Sequence, residues 1–267
     1  MSSPAQLDDD FALFTKKLKA RTGLDLSMYK EGQMRRRLNT LRENLGFRSF
    51  SEFYHALAEK PELYDVLMDR ITINVSEFFR NPNSWYVLEK KIIPDILKRN
   101  RNVKCWSAAC SMGEEPYSMV MLLSSFLKRY EFQVLATDID QKALEKAKMG
   151  VYSRQAVKEV PPHFLKKHFT IQGEQYVISE EIKKCVRFQR HNLLADPFEK
   201  NFDLIVCRNV LIYFTEEAKD LLLMKFSRSL KPGGYLFVGG TEQIFDPEKY
   251  QLEMVEMFFY RRKVQGK

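Results

Sequence analysis

The stretch "FDLIVCRNVLIYF", residues 202–214, decides the fold. "FDLIV" is an apolar run of strand length that passes straight into Arg208, Asn209 and Tyr213 with no ordinary turn between. Three more segments share this form: "VKCWSAAC" from Val103, "FQVLATDID" from Phe132 and "GYLFVGG" from Gly234, each short, apolar and ending in small or polar residues. Helical stretches lie between them: "EEPYSMVMLLSSFLKRY", "QKALEKAKMG" and "EEAKDLLLMKFSRSLKPGG". Strand alternating with helix predicts an α/β fold with a parallel, doubly wound sheet. Ligands of such sheets sit beyond the carboxyl ends of the strands, which is where Arg208, Asn209 and Tyr213 fall.

Upstream the pattern changes. Residues 8–73 read as helices only, so residues 1–75 are expected to form an all-helical N-terminal domain and residues 76–267 the α/β domain. "DDDFALFTKKLKARTGL" opens on acids, where a helix dipole favours them. "EGQMRRRLNTLRENLG" puts Met34, Leu38, Leu41 and Leu45 on one face and ends at Gly46, a C-cap signal. "SFSEFYHALAEKPELYDVLMDRIT" supplies two shorter helices, the first with a serine cap, and "SWYVLEKKIIPDILKRN" another. One stretch breaks the alternation, at about residues 168–190. "KHFTIQGEQYVISEEIKKCVRFQRHNLL" reads as a small β insertion, a hairpin around Gly173 plus a third strand at Val186–Gln189, or else as a meandering surface loop.

Composition excludes several classes. No apolar run approaches the roughly 18 residues needed to span a bilayer, and the acidic "MSSPAQLDDDFALF" lacks the basic region and apolar stretch of an export signal. A cytoplasmic protein without membrane insertion is expected. Cys105, Cys110, Cys185 and Cys207 form no CxxC pair and have no histidine at zinc spacing, so reduced thiols without a disulfide or a metal are expected. Forty-three basic against 35 acidic side chains give a net charge of +8 and a pI near 9.2. That favours an acidic partner, but residues 1–75 carry 12 basic and 11 acidic side chains, so the surplus is spread evenly.

The strand ends carry the chemistry. "SAACSMGEEPYS" is a small-residue turn around Gly113, then Glu114, Glu115 and Pro116 at a helix start. Asp138 ends the second strand about two dozen residues later, at the place where nucleotide-type folds hold a ribose through a carboxylate. The turn lacks GxGxxG and offers acids where a diphosphate would want bare N–H groups. Carboxylates there disfavour NAD and suit S-adenosylmethionine, a nucleoside with a sulfonium, an amino group and no phosphate. Acids at a helix start are also common caps. Asn192 in "FQRHNLL" could read the adenine edge, or simply form a turn.

Together "ITINVSEFFR" (71–80), "WSAACSMGEEPYS" (106–118), "ATDID" (136–140), "HNLL" (191–194), "CRNVLIYF" (207–214) and "LKPGGYLFVGGTE" (230–242) resemble the chemotaxis-receptor methyltransferases, the CheR family. The resemblance spans nearly the whole chain, with the motifs in the family's order. It implies methyl transfer from S-adenosylmethionine to glutamate side chains on cytoplasmic helices of bacterial chemoreceptors. The products are glutamate γ-methyl esters, which serve chemotactic adaptation, and S-adenosylhomocysteine. It places cofactor contacts on Asn74, Ser76, Arg80, Glu115, Asp138, Asn192, Leu193, Arg208 and Asn209, and sets Arg80 and Tyr213 beside the transferring methyl. Ser76 stands where some relatives have threonine, and a hydroxyl remains.

"MRRRLNTLRENLGFR" carries Arg35, Arg36, Arg37, Arg42 and Arg48 against one acid, Glu43. With the apolar face used by Met34, Leu38, Leu41 and Leu45, the arginines are expected outward, as a docking face for an acidic receptor helix or as a merely solvated face. Some family members use the β insertion to add a receptor C-terminal pentapeptide as a strand. The short "IQGEQY" here predicts that this tail is not required. A monomer, recruited to membrane receptor clusters, is expected. A nucleic-acid methyltransferase is disfavoured: there is no [DN]PPY tetrapeptide and no PC dipeptide, and "RNPNSW" (80–85) precedes the first strand. A non-catalytic sensor that keeps the cofactor pocket is the other alternative.

Overall fold

The computed structural model describes residues 4–264. The chain divides into two compact units, one of residues 1–74 with Tyr213–Asp220, the other of Val75–Ile212 with the remainder from Leu221.

Among its described residues the first unit holds the α-helices α1 (Pro4–Thr22), α2 (Glu31–Asn44), α3 (Phe50–Glu59) and α4 (Pro61–Thr72). Phe11 and Phe14 of α1 pack on Phe50 and Phe53 of α3, with ring centroids 5.0 to 5.9 Å apart. Burying such rings is the main stabilisation available to so small a helical unit. The acids at the start of the first apolar pattern do not open its helix, which begins at Pro4. Asp10 instead caps α3 from a distance, accepting the N–H groups of Phe50 (2.6 Å) and Ser51 (3.0 Å), beside the expected Ser49 cap on Glu52. Gly46, at φ +83°, ends α2 as its position suggested. The segment from Tyr213 joins this unit through backbone bonds: Lys30 N–H to Tyr213 O and Thr215 N–H to Met28 O, each 2.9 Å.

The second unit opens with one interrupted helix. α5 (Pro82–Val87) and α6 (Ile93–Arg99) are joined by a π-helical turn, Leu88–Ile92. Pro94 supplies the reason, because it has no N–H to donate and its ring crowds the preceding turn. Then come β1 (Val103–Ala108), α7 (Glu114–Leu123), β2 (Phe132–Asp138), α8 (Gln141–Met149), β3 (Val151–Ser153), α9 (Pro162–His168), β4 (Phe169–Gln172) and β5 (Gln175–Ile178). The chain continues with α10 (Glu180–Lys183), β6 (Val186–Arg190), β7 (Phe202–Cys207), α11 (Glu216–Ser229), β8 (Leu230–Val238), β9 (Leu252–Glu256) and β10 (Phe259–Arg262). The main sheet runs β6-β2-β1-β7-β8-β10-β9; its first five strands are parallel and the last two form an antiparallel hairpin.

Strand periodicity splits the core. Cys105, Val134, Val206 and Phe237 face the helical layer with Met119, Leu123, Phe78 and Trp85. On the opposite face Trp106 packs against Phe198, Phe202 and Phe226.

The insertion is a three-stranded sheet, β3-β5-β4, with the hairpin where it was expected. Its third strand is Val151–Ser153, however, and Val186–Arg190 lies instead at the edge of the main sheet, parallel to β2. Pairing decides it: Val134 to Asp138 of β2 take Val186 to Arg190 as parallel partners. The terminal hairpin β9–β10 carried no strong alternation and was not expected.

Candidate active site

Turns at the carboxyl ends of β1, β2, β6 and β7 carry Glu115, Asp138, Asn192 with Leu193, and Arg208 with Asn209, while Ser76 and Arg80 lie on the segment that precedes α5. After β1 the backbone takes left-handed conformations at Ala109 (φ +62°), Ser111 (+48°) and Gly113 (+92°). A Cβ on Gly113 would stand 2.8 Å from the Ala147 Cβ, so only glycine fits where α7 begins. The turn is held by Asp138: Ser111 N–H donates to one carboxylate oxygen (2.7 Å) and Asp140 N–H to the other (2.9 Å). Burial pushes the Asp138 carboxyl up to about 6, against the pull of these bonds from Asp140 and Ser111. With the Ile139 N–H as a third backbone donor, the carboxylate still keeps acceptor capacity for a ligand hydroxyl.

Pro116, in the first turn of α7, leaves Glu114 and Glu115 at the helix start with the dipole behind them. Ser107 Oγ donates to Glu115 Oε1 at 2.8 Å, and Arg208 Nη1 lies 3.7 Å from Oε2. Burial still raises the Glu115 carboxyl to about 7, over the opposing effect of Arg208 and Ser107. Glu114 is deeper, at 1% exposure. Its Oε2 has no hydrogen-bond partner among the described residues. Burial lifts its carboxyl to about 7 as well, with the Ser76 hydroxyl bond drawing it down.

Arg208 is a brace. Its Nη2 donates to Arg80 O (2.8 Å) and Asn81 Oδ1 (2.9 Å), and its guanidinium lies over Phe237 at 4.7 Å. It thereby fixes the "FFRN" segment, which Phe78 and Phe79 anchor in the core. Phe79 (φ +51°) and Asn81 (φ +63°) are strained there, and Phe79 N–H donates to Ser118 Oγ at 3.1 Å. Arg80 spends one donor on Val75 O (3.3 Å), and its charge reaches Glu115.

Asn209 also has φ +60°. Glu242 explains it: one buried carboxylate accepts the N–H groups of Asn209 and Gly239 at 2.7 Å and of Ile212 at 3.3 Å. Glu242 ends the quoted "LKPGGYLFVGGTE", yet sequence reasoning did not single it out; an acid two residues after a Gly-Gly strand exit was the available signal. Asn192 forms a turn, its Oδ1 accepting Leu194 N–H at 3.0 Å, and Leu193 beside it is buried.

Asn74 and Tyr213 belong to the helical unit. Asn74 Nδ2 donates to Thr72 Oγ1 at 3.1 Å, and Arg37 lies over the Tyr213 ring at 5.5 Å. The arginines of α2 do not all face outward. Arg36 is exposed. Arg35 is half-buried over Phe11, and Arg37 donates to Ile71 O at 3.0 Å. Arg42 is only 7% exposed, donating to Phe47 O (2.8 Å) and Arg48 O (2.7 Å) while stacked on Phe50. The carbonyls left open past the end of α2 claim it. Cys105, Cys110 and Cys207 are buried thiols, each raised chiefly by burial. No cluster able to hold a metal occurs among the described residues.

This donor set fits a cationic nucleoside: two carboxylates held near neutrality by burial, and a third with an orphaned oxygen, at a turn that carries no phosphate-binding glycine pattern. The chain matches two family models, "CheR methyltransferase, all-alpha domain" over residues 9–72 and "CheR methyltransferase, SAM binding domain" over residues 74–259. Chemotaxis protein methyltransferases of Listeria innocua and Listeria monocytogenes are each 44% identical over 255 residues, covering 95% of this chain and 97% of theirs. Chemotaxis protein methyltransferase 1 of Pseudomonas aeruginosa is 34% identical over 257 residues, covering 91% of this chain and 93% of its own.

Proposed function

The chain belongs to the CheR family of S-adenosylmethionine-dependent methyltransferases, and from that premise we propose that it esterifies the side-chain carboxylate of glutamates on the cytoplasmic helices of chemoreceptors. When bound, S-adenosylmethionine supplies an electrophilic methyl on a positively charged sulfur. Asp138 would accept from the ribose hydroxyls and Glu115 would receive the amino group, with Asn192 and Leu193 at the adenine. Asn74, Ser76, Asn209 and the Arg208 brace complete the set.

The observation that carries the reading is the pairing of buried acids, Glu115 and Asp138, with the cation Arg80. Burial raises Glu115 to about 7, and a cation beside it favours the charged form, which makes the site selective for one. Arg80 serves the opposite charge. An acceptor glutamate, pKa near 4.3, is ionised at neutral pH, so no general base is needed. What it needs is orientation. Arg80 steers the carboxylate through its free donors and Tyr213 adds a phenolic one; positioning of this kind contributes several kcal/mol to a displacement. A tight ion pair would stabilise the ground state, so Arg80 steers and does not clamp.

Arg35, Arg36 and Arg37 form the docking face for the acidic receptor helix; Arg42, buried in its own cap, is left out of it. β4 and β5 are joined by Gly173 and Glu174 alone, so the edge lacks the long loop that would hold a tail peptide, and the receptor pentapeptide is not required. Among the described residues no helix is long and apolar enough to cross a membrane. We place the enzyme in the cytoplasm as a monomer recruited to receptor clusters, with no nucleic-acid partner. Incubation with methyl-labelled S-adenosylmethionine and receptor-containing membranes tests the reading: base-labile label on the receptor is expected, and label on nucleic acid or no transfer at all would overturn it.

A further inference from the structure

The connection from β6 to β7, residues 191–201, contains no helix. A doubly wound sheet ordinarily covers its face with one there. On the Trp106 face the amino-terminal halves of β1, β2 and β6 are therefore left open. Lys104 pairs in register with Gln133, and Leu135 with Arg187, so all four side chains stand on that open face. The result is a cleft of about 690 Å³, in the size range of small-ligand sites. Lys104, Arg129, Tyr130, Gln133, Lys184 and Arg187 line it.

Four cations meet here, and three of them, Lys104, Arg129 and Arg187, are held in place. Glu199 binds Lys104 at 2.9 Å and also pairs with Arg187, so a single carboxylate orients two cations and leaves the cleft strongly positive. Arg129 Nη2 donates to Lys184 O at 3.2 Å, and its guanidinium also bonds the Cys185 side chain, which fixes it beside the entry to β6. At the rim Tyr130 is 77% exposed, an aromatic ring that contributes little to the fold. The cleft lies at the opposite end of the strands from Asp138; Phe132 in its lining starts β2 and Asp138 ends it, about 20 Å apart.

We propose that this cleft is a second binding site, for a nucleoside polyphosphate. Spaced cations suit a chain of phosphate oxygens, each of which accepts several donors. The exposed ring suits a base, since every base offers a π face for stacking. The strands that begin at the cleft end at the turn before Gly113, at Asp138 and at Asn192, so an occupant would touch the other end of the same elements that build the donor site.

Calorimetry on the full chain with ATP tests this, with saturating S-adenosylhomocysteine present to close the donor site's adenosine pocket. Expected is one ATP per chain, with affinity falling as NaCl rises. The Lys184→Glu/Arg187→Glu variant should weaken ATP at least 10-fold and Tyr130→Ala about 10-fold, while both bind S-adenosylhomocysteine as the parent does. Tripolyphosphate should bind more weakly than ATP and be indifferent to Tyr130→Ala. Absence of saturable binding in the presence of S-adenosylhomocysteine, or ATP affinity unchanged by the charge reversal, overturns the proposal. Displacement of ATP by an equal concentration of a glutamate-rich peptide overturns it in favour of an acidic protein partner.

Discussion

Asp138 accepts the Ser111 N–H at 2.7 Å, so the carboxylate that ends β2 also holds the strained turn that follows β1. One side chain thus shapes the pocket floor and offers it a charge. Replacing it by asparagine removes half of the acceptor capacity and sets an NH2 against one of the two backbone N–H groups it now accepts, those of Ser111 and Asp140. Asp138→Asn is expected to weaken S-adenosylhomocysteine by about 10- to 100-fold in calorimetry, the range for losing a charge-assisted hydrogen bond. An unchanged Kd would remove Asp138 from the site.

Burial raises three acids, Glu114 and Glu115 to about 7 and Asp138 to about 6. Between the ordinary carboxylate range and these values the folded chain binds more protons than the unfolded one. Their contribution to stability is therefore full at low pH and is lost as pH rises through 6 to 7. Glu114→Gln keeps the hydrogen bond to Ser76 and cannot ionise. It should raise Tm by a few degrees at pH 8 and leave it nearly unchanged at pH 5. A Tm difference that does not vary with pH would show that Glu114 is charged throughout.

Glu115 must ionise to receive the amino group and Asp138 to accept fully from the ribose, so S-adenosylmethionine should bind more tightly as pH rises from 5.5 to 7.5, with protons released on binding. Calorimetry in buffers of different ionisation enthalpy counts those protons. A pH-independent Kd with no proton release is the contrary result.

Glu242 gathers three backbone N–H groups, those of Asn209, Gly239 and Ile212. Glu242→Ala leaves them buried without an acceptor, at about 1–3 kcal/mol for each that water cannot reach. Thermal unfolding should show Tm several degrees lower, with S-adenosylhomocysteine affinity reduced because the Asn209 turn is released. A variant as stable as the parent would mean that the turn holds itself.

Arg36 and Arg42 separate docking from folding. Arg36→Glu/Arg37→Glu should raise KM for receptor at least 10-fold and leave the Kd for S-adenosylhomocysteine within 2-fold. Arg42→Ala should do the reverse, lowering Tm through the unpaired Phe47 and Arg48 carbonyls with little effect on KM. Equal effects of the two variants on KM would restore Arg42 to the docking face.

The sequence alone settled what depends on local pattern: the strand–helix alternation, the helical N-terminal stretch, the hairpin at Gly173 and the polar residues at strand exits all follow from periodicity and turn chemistry over a few neighbours. The tertiary fold decided what depends on distant partners. Val186–Arg190 reads as a strand either way, and only its pairing with β2 assigns it to the main sheet. Arg42 shares its charge with Arg36, yet two open carbonyls and the Phe50 ring draw it inward. Glu242 is one acid among many until three N–H groups converge on it from residues up to 33 positions away in the chain. Burial sets the charge state of Glu114, Glu115 and Asp138, because desolvation is imposed by whatever packs around a group and is invisible in its neighbours along the chain.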